Sequence, residues 1–291
     1  MTERLAGLLT RLDGILSRVE DLLGAPAGQA PGNGTMFDAH WAFRWESRGR
    51  TGRIVPVPHP DLVDLSDLVG IDDVKEELLR NTAQFVAGHP ANNVLVWGER
   101  GNGKSSCIKG LLNVFGPRGL RIVEVQRWDL LSLPGILAAL RASPRRFVLF
   151  CDDLSFGEGE VRFRELKTLL DGGLEARPEN VLIYATSNRR HLMPEPMADN
   201  TGETEIHPEE AVSEKLSLSD RFGLTLGIPK FGQHTYLAIV DHYAARMNVA
   251  CPPDLLHAEA HRWALDNGRR TGRTARQFVS DLAGRLRMAG Q

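Results

Sequence analysis

The chain has 291 residues, 42% of them hydrophobic, enough for two packed units when domains usually run to about 100–200 residues. Lys and Arg together number 35 against 37 Asp and Glu, and this net charge of −2 excludes a global pull toward nucleic acid or membrane. Cys107, Cys151 and Cys251 are scattered and odd in number, which excludes a disulfide framework or a structural zinc module and predicts reduced thiols.

Leu5, Leu8, Leu12, Ile15, Val19 and Leu22 alternate in steps of three and four, predicting an amphipathic helix over 1–23 that docks on its own domain or a neighbour. Charges interrupt this segment, and no apolar run approaches the roughly 20 residues of a membrane helix. A cytoplasmic protein with no membrane insertion is therefore expected. The stretch GAPAGQAPGNGT predicts a flexible linker over 24–35. An N-terminal extension over 36–60 follows, in which Trp41, Phe43 and Trp45 alternate at strand spacing. Such aromatics suit a core face better than a base-stacking platform. Ser66 or Asp67 is placed to cap a short turn, and Asp72 and Asp73 open a helix that runs to about Val86.

From about Asn92 the pattern changes to short apolar runs: NVLVWG, RIVEVQ, RFVLFCDD, NVLIYATSN and LTLGI, with helical periodicity between them. This predicts an α/β core over 61–228 with a parallel sheet covered on both faces. After Ile228 strand signals cease, and helices are expected at Gln233–Met247, Asp254–Asn267 and Thr274–Met288, a small helical unit over 229–291.

The strongest chemical signal is Gly98-Glu99-Arg100-Gly101-Asn102-Gly103-Lys104-Ser105, a full G-x-x-x-x-G-K-[ST] between a strand and the helix opened by Ser105 and Ser106. Glycines let backbone N–H groups wrap phosphate oxygens, and the helix N-terminus adds a favourable dipole. In this pattern Lys104 reaches the β- and γ-phosphates and Ser105 Oγ ligates Mg²⁺. Downstream, the apolar run Phe147 to Cys151 ends in Asp152-Asp153. Carboxylates are costly within an apolar sheet but suit its carboxyl edge, where open α/β sheets bind ligands. Asp152 is the candidate for the Mg²⁺ shell and Asp153 for polarising the attacking water. Asn188, at the tip of NVLIYATSN, is the candidate for holding that water or sensing the γ-phosphate.

The succession of P-loop, apolar strand ending in Asp-Asp, strand-tip Asn, SLSDRFG and a helical tail with GRTARQF resembles an AAA+ ATPase. DLVGIDDVKEELLRNTAQFVAG, ANNVLVWGERGNGKSS and VLFCDDLSFGEGE are more closely similar to an uncharacterised bacterial family of that type, known only as ATP-binding. The resemblance covers about Asp64 to Leu282 and implies sheet order 5-1-4-3-2, a C-terminal helical lid, and ATP with Mg²⁺ as cofactors. It also implies an arginine finger at Arg221, a sensor-2 arginine at Arg276 and an adenine-cradling segment at Leu68, Val69, Gly70 and Ile71.

Two departures matter. The strand Phe147 to Cys151 ends in Asp-Asp, the pair that replication initiators and helicase loaders also use, where many AAA+ hydrolases carry Asp-Glu, so slow hydrolysis is expected. Arg127 to Leu133 carries no aromatic-hydrophobic-glycine pore loop, which weakens a protein-threading reading. The function expected is ATP binding and hydrolysis coupled to conformational change in a homo-oligomer, a hexameric ring by resemblance, acting on an unknown protein or nucleic-acid client. The alternative is an ATP-switched nucleic-acid loader, suggested by the arginine-rich stretch from Arg262 to Arg287. His257 and His261 stand at i, i+4 but lack a third ligand for a metal, and Met193 to Glu214 reads as a solvated acidic loop.

Overall fold

The computed structural model of the chain describes residues 33–48, 51–156, 166–167, 170, 177–190, 192 and 219–289. The predicted helix over 1–23 and most of the linker and acidic loop lie outside them. Helix α1 (Asn33–Ala39) leads into the hairpin of β1 (Ala42–Arg48) and β2 (Thr51–Pro56). A 3-10 turn at Leu65–Asp67 and helix α2 (Asp72–Val86) follow. The next elements are β3 (Val94–Gly98), α3 (Lys104–Phe115), β4 (Leu120–Glu124) and a 3-10 segment, Arg127–Ser132, that runs into α4 (Leu133–Arg141). Strands β5 (Arg146–Cys151), β6 (Val181–Ser187) and β7 (Leu224–Ile228) precede helices α5 (Gln233–Arg246), α6 (Pro253–Asp266) and α7 (Gly272–Ala289). Among the described residues no helix is long and apolar enough to cross a membrane.

The seven strands lie in the order β2-β1-β4-β5-β6-β3-β7, parallel throughout except for the antiparallel hairpin. From β7 to β4 this is the expected 5-1-4-3-2. The P-loop strand β3, expected at the centre and flanked by the Asp-Asp side, lies second from one edge, because in this order only β7 stands beyond it, and β6 separates it from β5. The hairpin, which pairs Ala42 with Ile122 and Phe43 with Val123, adds two strands beyond β4 at the opposite edge. It leaves Pro56 at the end of an edge strand, where the missing N–H costs no sheet bond.

Alternation along each strand sorts the core into two layers. Val94, Val96, Val148 and Phe150 face α2, α3 and the helices after β7, whereas Leu95, Phe147, Leu149 and Cys151 face α4 and Phe37. Phe43 and Trp45 are buried in the second layer, which is the core-face role their spacing suggested. Burial pushes the thiols of Cys107 and Cys151 up to about 12, so both remain protonated and unreactive at neutral pH.

Two local expectations are corrected. The 3-10 turn at Leu65–Asp67 is capped by Asp64, whose carboxylate accepts from Ser66 N at 2.9 Å, rather than by Ser66 or Asp67. Helix α1 begins at Asn33, inside the stretch read as linker. Tertiary contact outweighs composition there: Phe37 is fully buried, edge-on to Phe43 at 5.1 Å and to Phe147 at 4.8 Å. Arg121, itself buried, donates through Nε to Phe37 O and through Nη1 to Gly116 O at 2.9 Å, tying α1 to the sheet.

Phe37→Ala should therefore destabilise the protein by about 3–5 kcal/mol, the range for a fully buried aromatic, whereas Leu286→Ala at an exposed position of α7 should change stability by under about 0.5 kcal/mol. Urea unfolding of the two variants beside the parent measures both. A Phe37→Ala midpoint equal to that of Leu286→Ala would mean that α1 is not part of the cooperative core.

Candidate functional site

The loop between β3 and α3 bends because its glycines adopt backbone angles closed to other residues. Gly98 has φ +145, and a Cβ there would stand 2.3 Å from Ile228 O on the neighbouring strand. Gly101 has φ +92, with Thr271 Oγ1 only 3.0 Å from the same imagined atom. The loop thus presses against β7 on one side and the start of α7 on the other. It opens helix α3, whose first residues point their N–H groups into a cavity of about 440 Å³ at the carboxyl edge of the sheet.

Lys104 is 7% exposed, and its ammonium donates to Gly98 O at 2.9 Å, Glu99 O at 3.0 Å and Asn188 Oδ1 at 2.9 Å. Burial draws it below the ordinary lysine value, Asp153 and Asp152 push it back up, and Arg273 and Arg100 add to the lowering. Asn188 in turn donates through Nδ2 to Asp153 Oδ1 at 2.5 Å. One amide side chain therefore links the P-loop lysine on α3 to the carboxylate after β5.

Asp152 is held from two sides: Ser105 Oγ donates to its Oδ1 at 2.6 Å and Thr186 Oγ1 at 2.5 Å. The Thr186 hydroxyl also accepts from Asp153 N at 2.8 Å. Asp153 has φ 51, a left-handed conformation that costs a non-glycine residue of order 1–3 kcal/mol. Leu154 N donating to Thr186 O at 2.7 Å and Ser187 Oγ donating to Leu154 O at 2.7 Å hold that turn in place. The tip of β6 thus sets the direction of both carboxylates. Thr186, 1% exposed, is a site residue that sequence reasoning passed over, although it stands in the same Thr-Ser-Asn run as Asn188.

Most of the sequence-predicted residues line this one cavity: Arg100, Gly101, Asn102, Gly103, Lys104, Ser105 and Ser106 from the loop, Asp152, Asp153 and Asn188 from the strand ends, and Val69, Ile71 and Arg276. Gly98 and Glu99 do not line it; their carbonyls are turned onto Lys104. Gly70 stands aside too, at φ +81, packed where a Cβ would meet Thr235 of α5 at 2.4 Å. Arg221 is also not among the lining residues. It precedes β7 at the amino end, and because Leu224 pairs with Val94 this places it across the sheet from the P-loop. Phe231, from the connection after β7, and Ile239, Tyr243 and Arg273, from helices whose facing only the tertiary structure fixes, also line the wall and were not among the expected site residues. His257 and His261 face separate partners, Asp241 at 2.7 Å and Gln233 at 3.1 Å.

The donor set fits a magnesium nucleotide. Loop N–H groups and the Lys104 ammonium suit phosphate oxygens, and Ser105 Oγ beside the Asp152 carboxylate offers hard oxygen ligands of the kind Mg²⁺ takes. Leu68, Val69, Ile71, Phe231, Ile239 and Tyr243 give an apolar end suited to a base. Among the described residues the buried Asn102 Oδ1 has no hydrogen-bond partner, and Asn102 Nδ2 donates to Pro229 O at 3.2 Å.

The family model described as "Protein of unknown function (DUF815)" matches residues 38–286. Among solved structures, a single-site mutant of Thermotoga maritima RuvB is similar with a TM-score of 0.53 at 16% identity, over 78% of this chain and 67% of that one. A second Thermotoga maritima RuvB mutant gives 0.53 at 17% over 78% and 66%. The FIGL-1 AAA domain in complex with ADP gives 0.50 at 19% over 80% and 76%. The chain thus spans about two thirds of the length of the RuvB chains. These likenesses give the fold, an AAA+ P-loop core followed by helices.

Removing the Thr186 hydroxyl while keeping its shape tests how the strand tip holds the carboxylates. Thr186→Val should lower stability by about 1–3 kcal/mol, since Asp153 N and the Asp152 carboxylate each lose a partner. Thr186→Ser, which keeps both bonds, should retain most of it. Thermal denaturation of the pair gives the answer, and a Thr186→Val midpoint equal to the parent's would reject the role of the hydroxyl.

Proposed function

The chain belongs to the DUF815 family, and we propose that it is an ATP-binding AAA+ ATPase that couples ATP binding and slow hydrolysis to conformational change in an oligomer. The carrying observation is the connected network in which Lys104, Asn188 and Asp153 are joined by hydrogen bonds and Ser105 and Asp152 lie beside them. Loop N–H groups receive the phosphates, and Lys104 leaves Gly98 O, Glu99 O and Asn188 to neutralise their charge. Its departure frees the Asn188 carboxamide, which with Asp153 holds the attacking water in line; the Asp153 carboxylate accepts the water's proton. Ser105 Oγ and Asp152 hold Mg²⁺, which supplies charge neutralisation on the phosphate oxygens. Leu68, Val69 and Ile71 cover the base.

Arg221 is assigned as a finger acting on a neighbouring subunit, supported by its place across the sheet from its own cavity. Heterologous contacts of that kind close into a ring when the rotation permits, so a hexamer acting on a protein or nucleic-acid client is the proposed assembly. A second reading, an ATP-switched nucleic-acid loader, is favoured by one observation: Arg262, Arg269 and Arg270 are exposed and form no ion pair among the described residues. DNA retention that falls steeply with salt and depends on ATP would favour it.

Lys104→Ala should lose nucleotide binding, whereas Asp153→Asn should bind ATP as the parent does and lose about 10²–10⁴ of turnover. Titration with labelled ATP and phosphate-release assays measure the two effects, and parental turnover in Asp153→Asn rejects its role. Mixing Lys104→Ala, which keeps Arg221, with Arg221→Ala, which keeps the ATP site, should restore activity that neither has alone. Parental activity in Arg221→Ala by itself, independent of protein concentration, rejects the shared site.

A further inference from the structure

Helix α4 and the 3-10 segment before it divide their residues between inside and outside. Leu130, Leu133, Ile136, Leu137 and Leu140 point into the second core layer, where Phe37 of α1 also lies. The outward stripe is Trp128, Leu131, Pro134, Gly135, Ala138 and Ala142, all exposed, and Arg141 closes it with a charge. Trp128 is 65% exposed and Leu131 53%. Residues three apart eclipse one another in a 3-10 helix, so these two large side chains share one face, and the small residues continue it along α4 at steps of three and four.

Gly135 marks this face as a place of close approach. It stands inside α4 without a left-handed backbone angle, and a Cβ added to it would meet nothing within 4 Å. Alanine would suit the helix better at such a position. A missing side chain in open space is what the approach of another backbone requires.

The chain carries a segment of matching form. Leu5, Leu8, Leu12, Ile15, Val19 and Leu22 make one apolar seam over 1–23, outside the described residues. As a helix, Leu5 to Leu22 is about 26 Å long, and the stripe from Trp128 to Ala142 is about 23 Å. The chain also enters the fold beside this stripe. Asp38 of α1 accepts through Oδ1 from Arg145 Nε at 2.8 Å and Nη2 at 2.6 Å, shortly after α4 ends. Residues 24–32, between the seam and α1, reach about 30 Å when extended, more than the length of the stripe. A tether this short holds the segment at an effective concentration on the order of millimolar.

We propose that residues 1–23 form a helix lying along the outward face of α4 in their own chain, with the leucine seam on Trp128 and Leu131 and the backbone passing over Gly135 and Ala138. Burial of the two large side chains drives the docking, and the small residues set a close distance between the helices. An apolar face open to other chains thereby receives an occupant from its own.

Cysteine cross-linking in the full chain tests this. Cys107 and Cys151 are buried, and Cys251→Ser removes the third thiol. Leu12→Cys and Ala138→Cys then stand near the midpoints of the two surfaces, which stay close whichever way the helix runs. A short bis-maleimide should join them within one chain, whereas Thr10→Cys, on the side opposite the seam, should join Ala138→Cys far more slowly. Gly135→Lys or Ile15→Asp added to the first pair should each slow its cross-link about tenfold or more, because each sets a charge into an apolar contact. The Gly135→Lys side chain enters open space, and an unchanged thermal midpoint verifies that the fold is kept; Ile15→Asp leaves the described core untouched. No product within one chain, equal rates for Leu12→Cys and Thr10→Cys, or indifference to both added charges overturns the docking. Product formed only on mixing chains that carry one new cysteine each gives the face to a second copy and overturns the assignment to the same chain.

Discussion

A buried ammonium needs acceptors on every side, and the placement of Lys104 answers that need with groups from three separate elements. The loop carbonyls of Gly98 and Glu99 and the carboxamide of Asn188 take its three N–H bonds, and Asp152 and Asp153 offset the charge from farther away. None of these can move alone. The loop must bend tightly enough to aim two carbonyls inward, which requires the positive φ angles at Gly98 and Gly101, and β6 must lie beside β3 for Asn188 to reach. The order of the sheet is thus a condition of the charge being there at all.

The parallel sheet makes that condition cheap to meet. In parallel strands all carboxyl ends fall on one edge, so residues separated by 84 positions, Lys104 and Asn188, meet at 2.9 Å without long irregular excursions of either. Apolar strand interiors are buried between two helical layers, and the polar residues accumulate where the strands end. The hairpin beyond β4 and the buried Phe37 brace the far side of the sheet, away from the cavity, and secure β5 through the Phe37–Phe147 contact. Asp153 can hold a left-handed backbone angle because the turn it occupies is bonded to β6 at both Thr186 and Ser187.

The helices after β7 complete the cavity and share a core layer with the sheet through residues such as Tyr236, Ile239 and Phe278. Asp67, beside the apolar end, accepts from His242 Nε2 at 2.8 Å and pairs with Arg246, while at the other end Gly101 O accepts from Arg273 N. Two small polar anchors flank the space for a ligand.

Much of this was legible in the residues. Strand patterning at five runs, the helices after Ile228 and the loop Gly98–Ser105 are local signals, because alternation, capping and glycine-rich turns act within a few residues. So was the chemistry of Lys104, Asp152 and Asp153, since a lysine after glycines and carboxylates at the end of an apolar strand have few physical uses. What local signals could not carry was partnership at a distance. The start of α1 inside a Gly/Pro-rich stretch follows from where Phe37 packs, the two extra strands beyond β4 follow from a hairpin that pairs with it, and the placing of Thr186, Tyr243 and Arg273 in the cavity follows from which faces of β6, α5 and α7 meet the loop. Backbone preference is set by a residue and its neighbours in the chain, whereas a binding wall is set by packing among segments far apart in sequence, and that arrangement exists only once the chain has folded.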